Sequence, residues 1–268
     1  MQQTAESAAQ ELLAQMRAKQ EEWENRTAPG FTPATPEQIE YTRKYWETVF
    51  SSQKKEIAYQ PRQIVQEMEY EAARKSFWRV LEMRAAEIMV TEQRNDFEWR
   101  FDEQEKDIIR NLVRYFINDP ASKFALSKGL FLYGAPGTGK TEIMEAAERF
   151  CRENDLSKAF EFSSMSRIYD EAKADKNSDP VTPNVQRNRC FDEFARYVGE
   201  VSRFGDKLDI NEAIIEQRYN RFRKFGQITH FITNSTPNDV APILTPMLFD
   251  RLRSMCTSIS FTGKSKRN

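Results

Sequence analysis

The chain has 268 residues, which is enough for one large domain or for one domain with an extension. Charged residues make up 30%, the mean hydropathy is -0.74, and there is no apolar run long enough to span a bilayer, so we expect a soluble, helix-rich protein. The net charge of -1 excludes a global basic field that would attract nucleic acid.

The compartment is predicted from the N-terminus and the cysteines. Glu6 and Glu11 lie where an export signal would need an apolar core. The three cysteines are far apart, odd in number and without metal-ligand spacing. Both observations favour the reducing cytoplasm.

The first hundred residues are predicted to be helical. Residues 5–25 carry a narrow apolar stripe, and the proline-rich stretch 27–36 is a linker. A second helix begins at Pro36, and a third helical stretch runs from Pro61 toward Met89. The four tryptophans all precede residue 100, and they fit either the core of a small helical unit or anchors for a partner.

A change of pattern follows. Residues 97–101 favour a short connecting strand or an entry segment, and residues 104–118 favour a helix that ends at Asp119-Pro120. The apolar run 130–133 predicts a buried strand, and helical spacing returns over 141–153. The segment between this strand and helix fits G-x-x-x-x-G-K-[ST] and consists of Gly134, Ala135, Pro136, Gly137, Thr138, Gly139, Lys140 and Thr141.

This segment predicts a phosphate-binding loop. Its glycines let successive N–H groups face one concavity, and the helix that follows presents its positive dipole end to an anion. Lys140 can reach the outer phosphates of a nucleotide, and the Thr141 hydroxyl can bind Mg²⁺. Strand, loop and helix together make a chance glycine turn a poor explanation, so we expect ATP and Mg²⁺ to bind here.

A pair of carboxylates follows about fifty residues later. A strand at 158–162, a helix at 166–173 and an exposed polar loop at 175–188 separate it from the phosphate loop. Asp192 would hold Mg²⁺ with Thr141, and Glu193 would polarise the attacking water. The preceding strand has few apolar residues, which weakens this match.

The next strand supplies a polar end. A helix over 208–225 leads into a strand at 228–233, which Asn234 follows. An amide at the carboxyl end of such a strand can orient water beside a terminal phosphate, although a turn-forming role is the simpler explanation. His230 is predicted to be packed rather than catalytic.

The ordered set of motifs resembles the AAA+ ATPases, and among them the DnaC-type helicase loaders and the IstB-like ATP-binding proteins. The resemblance covers about residues 97–268. Its motifs are the phosphate loop, Asp192-Glu193, Asn211-x-x-Ile214-Ile215-x-x-Arg218-Tyr219, Thr229-His230-x-x-Thr233-Asn234-x-Thr236-Pro237, Asp250-Arg251-Leu252-Arg253 and Phe261-x-x-x-Ser265-x-Arg267.

This resemblance implies a three-layer αβα P-loop core with a central parallel sheet over 97–268, after an all-helical extension over 1–96. It further implies that Asn234 is a sensor, that Arg251 is a finger completing a neighbouring subunit's site, and that Arg267 is a second sensor. The implied partners are a replicative helicase, held by the N-terminal helices, single-stranded DNA and further copies of the chain. Residues 244–247 depart from the usual pattern before Arg251, so we expect slow hydrolysis that depends on assembly or on DNA.

Several functions remain open. The first is an ATP-dependent helicase loader in DNA replication, and the second is a transposition helper ATPase with the same core. A switch that binds ATP without hydrolysing it is a third. A small-molecule kinase is disfavoured, because no arginine-rich lid or acceptor pocket is visible in the sequence.

Overall fold

The computed structural model describes residues 64–93, 97–175, 179–203, 206–263 and 265–266, with the helical residues Pro36, Glu40 and Lys44. The chain divides into two compact units, Met1–Arg62 and Gln63–Asn268. The sequence-predicted helix at 5–25, the linker at 27–36 and Arg267 fall outside the described residues, apart from Pro36.

The second unit alternates helices and strands. Its helices are α1 (Tyr70–Thr91), α2 (Glu103–Phe116), α3 (Lys140–Glu153), α4 (Met165–Ala174), α5 (Ile210–Phe225), α6 (Pro237–Val240) and α7 (Pro246–Met255). Its strands are β1 (Gly129–Gly134), β2 (Glu161–Ser164), β3 (Arg189–Asp192), β4 (Glu200–Arg203), β5 (Asp206–Asp209), β6 (Thr229–Thr233) and β7 (Cys256–Phe261).

The central sheet is parallel and has the order β2-β3-β6-β1-β7. The first strand, β1, therefore lies between β6 and β7, and Phe131 is in register with both Phe231 and Ser258. Parallel strands end at the same edge of a sheet, so the segments that follow β1, β3 and β6 meet there. This edge receives the phosphate loop, Asp192 and Asn234.

Helices cover both faces of the sheet. Because side chains alternate along β1, Leu130 and Leu132 are buried with α1, α2 and α3, whereas Phe131 is buried with α4, α5 and α7. The predicted three-layer αβα core with a central parallel sheet is confirmed.

Helix α1 begins later than the sequence predicts. Residues 64–69 are not helical: the Glu67 N–H donates to the Ile117 carbonyl at 2.9 Å, and Glu69, with an extended backbone, caps the helix. The helix packs against α3, where the rings of Phe77 and Phe150 meet edge to face at 5.5 Å. It is thus part of the second unit.

Strand β2 also differs from its predicted position. The strand predicted at 158–162 begins instead at Glu161. Residues 156–159 form a turn, in which the Ala159 N–H donates to the Leu156 carbonyl at 2.9 Å, and the Lys158 ammonium donates to the Tyr115 carbonyl at 2.6 Å. These bonds hold the chain out of the sheet until residue 161.

Two other segments were predicted incompletely. The stretch 175–188 was expected to be exposed, but Val181 and Val185 are buried beside α4 and α5. The helix predicted from residue 208 begins at Ile210, because residues 206–209 pair with β4 as the antiparallel strand β5 and Asp209 caps the helix. The closing strand β7 was not predicted.

His230 and the three cysteines are buried in the second unit. His230 is fully buried within β6, as predicted, and burial lowers its pKa to about 3. Cys151, Cys190 and Cys256 are free thiols and are buried. Within the described residues, no helix combines the length and apolar character needed to cross a bilayer.

Candidate functional site

The phosphate loop connects β1 directly to α3. Gly139 has a φ of +88°, and a Cβ there would lie 3.4 Å from the Trp99 ring. At Gly134, a Cβ would lie 2.0 Å from the Phe261 carbonyl oxygen. Both positions therefore require glycine, one for its left-handed backbone and the other for the close approach of β7.

Lys140 is the first residue of α3, directly after Gly139 of the phosphate loop. The residue is 4% exposed, and its ammonium donates to the carbonyls of Gly134 at 2.8 Å and Ala135 at 2.9 Å. It also donates to Asn234 Oδ1 at 3.1 Å. These neutral acceptors hold the cation where phosphate oxygens, which are stronger acceptors, can replace them.

Thr141 and Asp192 lie side by side, as a shared Mg²⁺ site requires. The Thr141 hydroxyl donates to Asp192 Oδ1 at 3.3 Å and to Oδ2 at 3.2 Å. Burial raises the pKa of Asp192, while hydrogen bonds from the Glu193 N–H and the Thr141 hydroxyl oppose that rise. Bound Mg²⁺ would favour the charged carboxylate, because a nearby opposite charge lowers such a pKa.

The donor set fits Mg²⁺. No cluster of three or more His, Cys, Asp or Glu side chains suited to a metal ion occurs in the part of the chain that the structure describes. Mg²⁺ commonly takes only one or two carboxylates and completes its coordination with water and substrate phosphates. Thr141 and Asp192 meet that need.

Glu193 follows β3 in a left-handed conformation, with a φ of 59°. Its carboxylate forms an ion pair with the guanidinium of Arg196, three residues later. The sequence gives a signal for this pair, since the acidic pair is followed by Phe194-Ala195-Arg196, but the arginine was not recognised as part of the site.

A cavity of about 670 Å³ joins these groups. Lys140, Thr141, Asp192, Glu193 and Asn234 all line it. Sites for small ligands and cofactors typically measure ~300–1,000 Å³, so the cavity can hold a nucleotide. With Pro136, Gly137 and Gly139 of the phosphate loop, the structure thus places eight sequence-predicted residues around one space.

One wall of the cavity is apolar and was not predicted. Ile88 at the end of α1 contributes to it, with Phe97 and Trp99. Of the two predicted forms, residues 97–101 take the irregular entry segment and not the strand, and the Phe97 and Trp99 rings in it meet edge to face at 5.1 Å. The Trp99 indole N–H donates to the Leu81 carbonyl at 2.9 Å, which fixes the ring beside the phosphate loop.

The segment after β7 is attached to the phosphate loop, and Lys266 also lines the cavity. The Lys266 N–H donates to the Gly137 carbonyl at 2.7 Å. Its ammonium bonds to Glu105 Oε1 at 2.8 Å and to the Arg100 carbonyl at 3.0 Å, and both charged side chains are almost completely buried. Residues 129 positions apart are thereby joined, and no sequence motif indicates this attachment.

The predicted finger lies elsewhere. Arg251, on α7, pairs with Glu216 at 3.5 Å and lies over the Tyr219 ring at 5.2 Å. It is not among the residues that line the cavity. The structure therefore does not bring Arg251 to this chain's own phosphate loop.

The sheet order, the loop between β1 and α3 and the residues at the strand ends define a P-loop α/β protein. No family model matches the chain, and no curated protein matches it. Among solved structures, the chain is similar to DnaI (19% identity, covering 63% of this chain and 88% of that chain, TM-score 0.46). It is also similar to the DnaC helicase loader (16% identity, 62% and 95%, TM-score 0.44) and to AMPPCP-bound DnaA from Aquifex aeolicus (13%, 63% and 50%, TM-score 0.46). These similarities concern the fold alone, and the P-loop fold stands on the strand order and the loop geometry.

Proposed function

We propose that the chain binds ATP with Mg²⁺ and hydrolyses it. The observation that carries this proposal is the convergence of Lys140, Thr141, Asp192, Glu193 and Asn234 on one cavity. These residues come from the ends of three parallel strands and from the phosphate loop. The wall of Ile88, Phe97 and Trp99 offers an apolar surface for the base.

Each residue has a distinct task. The loop N–H groups and Lys140 bind the phosphates, and Asn234, bonded to Lys140 at 3.1 Å, orients the attacking water. Thr141 and Asp192 would hold Mg²⁺, which when bound neutralises charge on the outer phosphates. Glu193 accepts a proton from the attacking water, and the oxygen of that water forms a bond to the terminal phosphorus. The bond from that phosphorus to the bridging oxygen breaks, and ADP leaves with the electron pair.

The test compares binding with turnover. Glu193→Gln keeps the shape of the side chain but removes the base, so nucleotide binding should persist while phosphate release falls by ~10²-fold or more. Lys140→Ala should weaken ATP binding itself. If Glu193→Gln hydrolyses ATP at the original rate, the assignment of the base is wrong. If the original chain binds ATP but releases no phosphate under any condition, the non-hydrolysing switch is the better description.

We further propose that the chain loads a replicative helicase in an assembly of several copies. The sequence resemblance supports this role, with residues 1–96 as the partner-binding part, and so does the position of Arg251 away from its own cavity. An arginine supplied to a neighbour's site stabilises the transition-state charge and makes turnover depend on assembly. Single-stranded DNA is the proposed second partner.

Mixing variants tests the shared site. Arg251→Ala and Glu193→Gln should each be inactive alone, and a mixture should regain part of the activity, because some interfaces then combine an intact base with an intact finger. Absence of recovery contradicts the finger in trans. Capture experiments with the full chain distinguish the partner: a hexameric helicase supports loading, whereas a transposase supports the transposition helper.

A further inference from the structure

The turn at 193–196 brings an anion and a cation into the cavity. Glu193 and Ala195 both have left-handed backbones, with φ of 59° and 60°, and the Arg196 N–H donates to the Glu193 carbonyl at 3.1 Å. This tight turn directs the Glu193 and Arg196 side chains to the same space, and both line the cavity.

Phe194, which follows Glu193 in the turn, attaches the turn to the sheet. Phe194 is fully buried, and its ring lies 4.6 Å from the Phe231 ring of β6. The Phe194 N–H donates to the Ile232 carbonyl at 2.9 Å. Because Asn234 directly follows β6, the positions of Glu193 and Arg196 are tied to the strand that leads into the proposed sensor.

The contact between the two charged side chains is easily exchanged. Arg196 is 57% exposed and Glu193 is 29% exposed in their ion pair. Ion pairs so open to solvent contribute little net stability, so a stronger anion can replace the carboxylate. Guanidinium is well suited to phosphate, because its planar N–H groups bind two oxygens at once.

We propose that Arg196 is a catalytic residue of the same chain that recognises the terminal phosphate of the nucleotide. In the arrangement seen here, Arg196 neutralises Glu193. When a triphosphate occupies the cavity, the guanidinium turns to its terminal phosphate and the Glu193 carboxylate is released to hold the attacking water. This inference rests on the proposed ATP binding, and it adds a device that prevents Glu193 from acting before the terminal phosphate is present.

The same arginine has a structural alternative on the surface. Its guanidinium lies 5.5 Å from the centre of the Tyr197 ring, so it could simply cover that ring and pair with Glu193. In that case its loss would affect triphosphate and diphosphate binding equally, or neither. The two roles therefore differ in the ratio of two binding constants.

The experiment uses the full chain with Mg²⁺ and measures the Kd of a non-hydrolysable ATP analogue and of ADP by calorimetry. Arg196→Gln should weaken binding of the analogue by ~10-fold or more, the effect of losing a charged hydrogen bond, and should leave ADP within about two-fold. Arg196→Lys should recover part of the loss, because it restores the charge without the two-pronged geometry. Glu193→Gln should tighten the analogue, because it removes the competing anion.

Arg167→Gln is the matched control. Arg167 is also exposed and also pairs with a glutamate on its own element, Glu171, but it does not line the cavity. It should change neither Kd. An unchanged ratio of the two constants in Arg196→Gln overturns this inference alone, whereas a chain that binds neither nucleotide overturns the proposed function as well.

Discussion

The buried pair between Glu105 and Lys266 leads to a quantitative prediction. Their side chains are 3% and 9% exposed, and the ammonium reaches both carboxylate oxygens, at 2.8 and 3.0 Å. Removing one partner of a buried pair leaves the other charge uncompensated, which typically costs ~3–5 kcal/mol. Glu105→Gln should therefore lower the free energy of unfolding by about 3 kcal/mol, the lower end of that range, because the Arg100 carbonyl and the Phe101 ring still face the ammonium.

Thermal denaturation measures this loss. For a chain of this size, about 3 kcal/mol corresponds to a decrease in Tm of roughly 6–12 °C. Lys266→Met should also destabilise, because the Glu105 carboxylate then loses its cation and, among the described residues, keeps the hydrogen bond from the Asp102 N–H at 3.0 Å. The double variant should lose less than the sum of the single losses, with a coupling of ~1 kcal/mol or more.

A matched exposed pair provides the control. Lys106 and Glu103 lie on the same helix at 2.8 Å but are 48% and 87% exposed. Lys106→Met should change stability by less than ~0.5 kcal/mol, because exposed pairs contribute little. If Glu105→Gln behaves like this control, or if the double variant is simply additive, the buried pair does not stabilise the attachment of residue 266 to the phosphate loop.

Two further predictions concern the core. Arg218 is fully buried and donates to the carbonyls of Val185 and Ile228, so Arg218→Met should destabilise by ~3–5 kcal/mol in urea denaturation, whereas the partly exposed Arg221→Met should have a much smaller effect. An equal effect would contradict a structural role for Arg218. Burial lowers the pKa of Lys158 from its usual 10.5 to about 7. Above pH 7 the unfolded chain thus binds a proton that the folded chain lacks, and stability should rise with pH by up to ~1.4 kcal/mol per unit between about pH 7 and pH 8.5. Lys158→Met should show less of this rise than the original chain, and equal slopes would contradict the assignment.

The sequence predicts the parts of the site that depend on local chemistry. The phosphate loop is recognisable because the backbone itself requires glycine at positions such as 139, where φ is +88°. Asn234 is recognisable because it follows an apolar strand, and Asp192 is recognisable because an Asp-Glu pair lies about fifty residues after the phosphate loop. Once β1, β3 and β6 are parallel neighbours, the convergence of these residues follows from the sheet.

Other parts depend on contacts between distant segments. Phe97 and Trp99 form a cavity wall beside the distant phosphate loop, and Lys266 bonds to Gly137. Both contacts join residues far apart in the chain, so no local sequence pattern predicts them. The shift of β2 has a similar origin, because Lys158 is held by a carbonyl 43 positions earlier. The role of Arg251 depends on a neighbouring copy and Arg267 lies outside the described residues, so both roles stay predictions.

The free thiols give the protein an internal reporter. Cys190 and Cys256 lie on opposite sides of β6 in the sheet, and Cys151 lies on α3, all fully or almost fully buried. Burial raises the pKa of all three, so the reactive thiolate is suppressed as well as shielded. An alkylating reagent can therefore react only when the surrounding structure opens. The rate of thiol alkylation then reports how often that opening occurs. A nucleotide bound at the strand ends should stabilise the fold and so lower the alkylation rate of these thiols. Occupancy of the site can then be measured through the buried cysteines, without a label on the site itself.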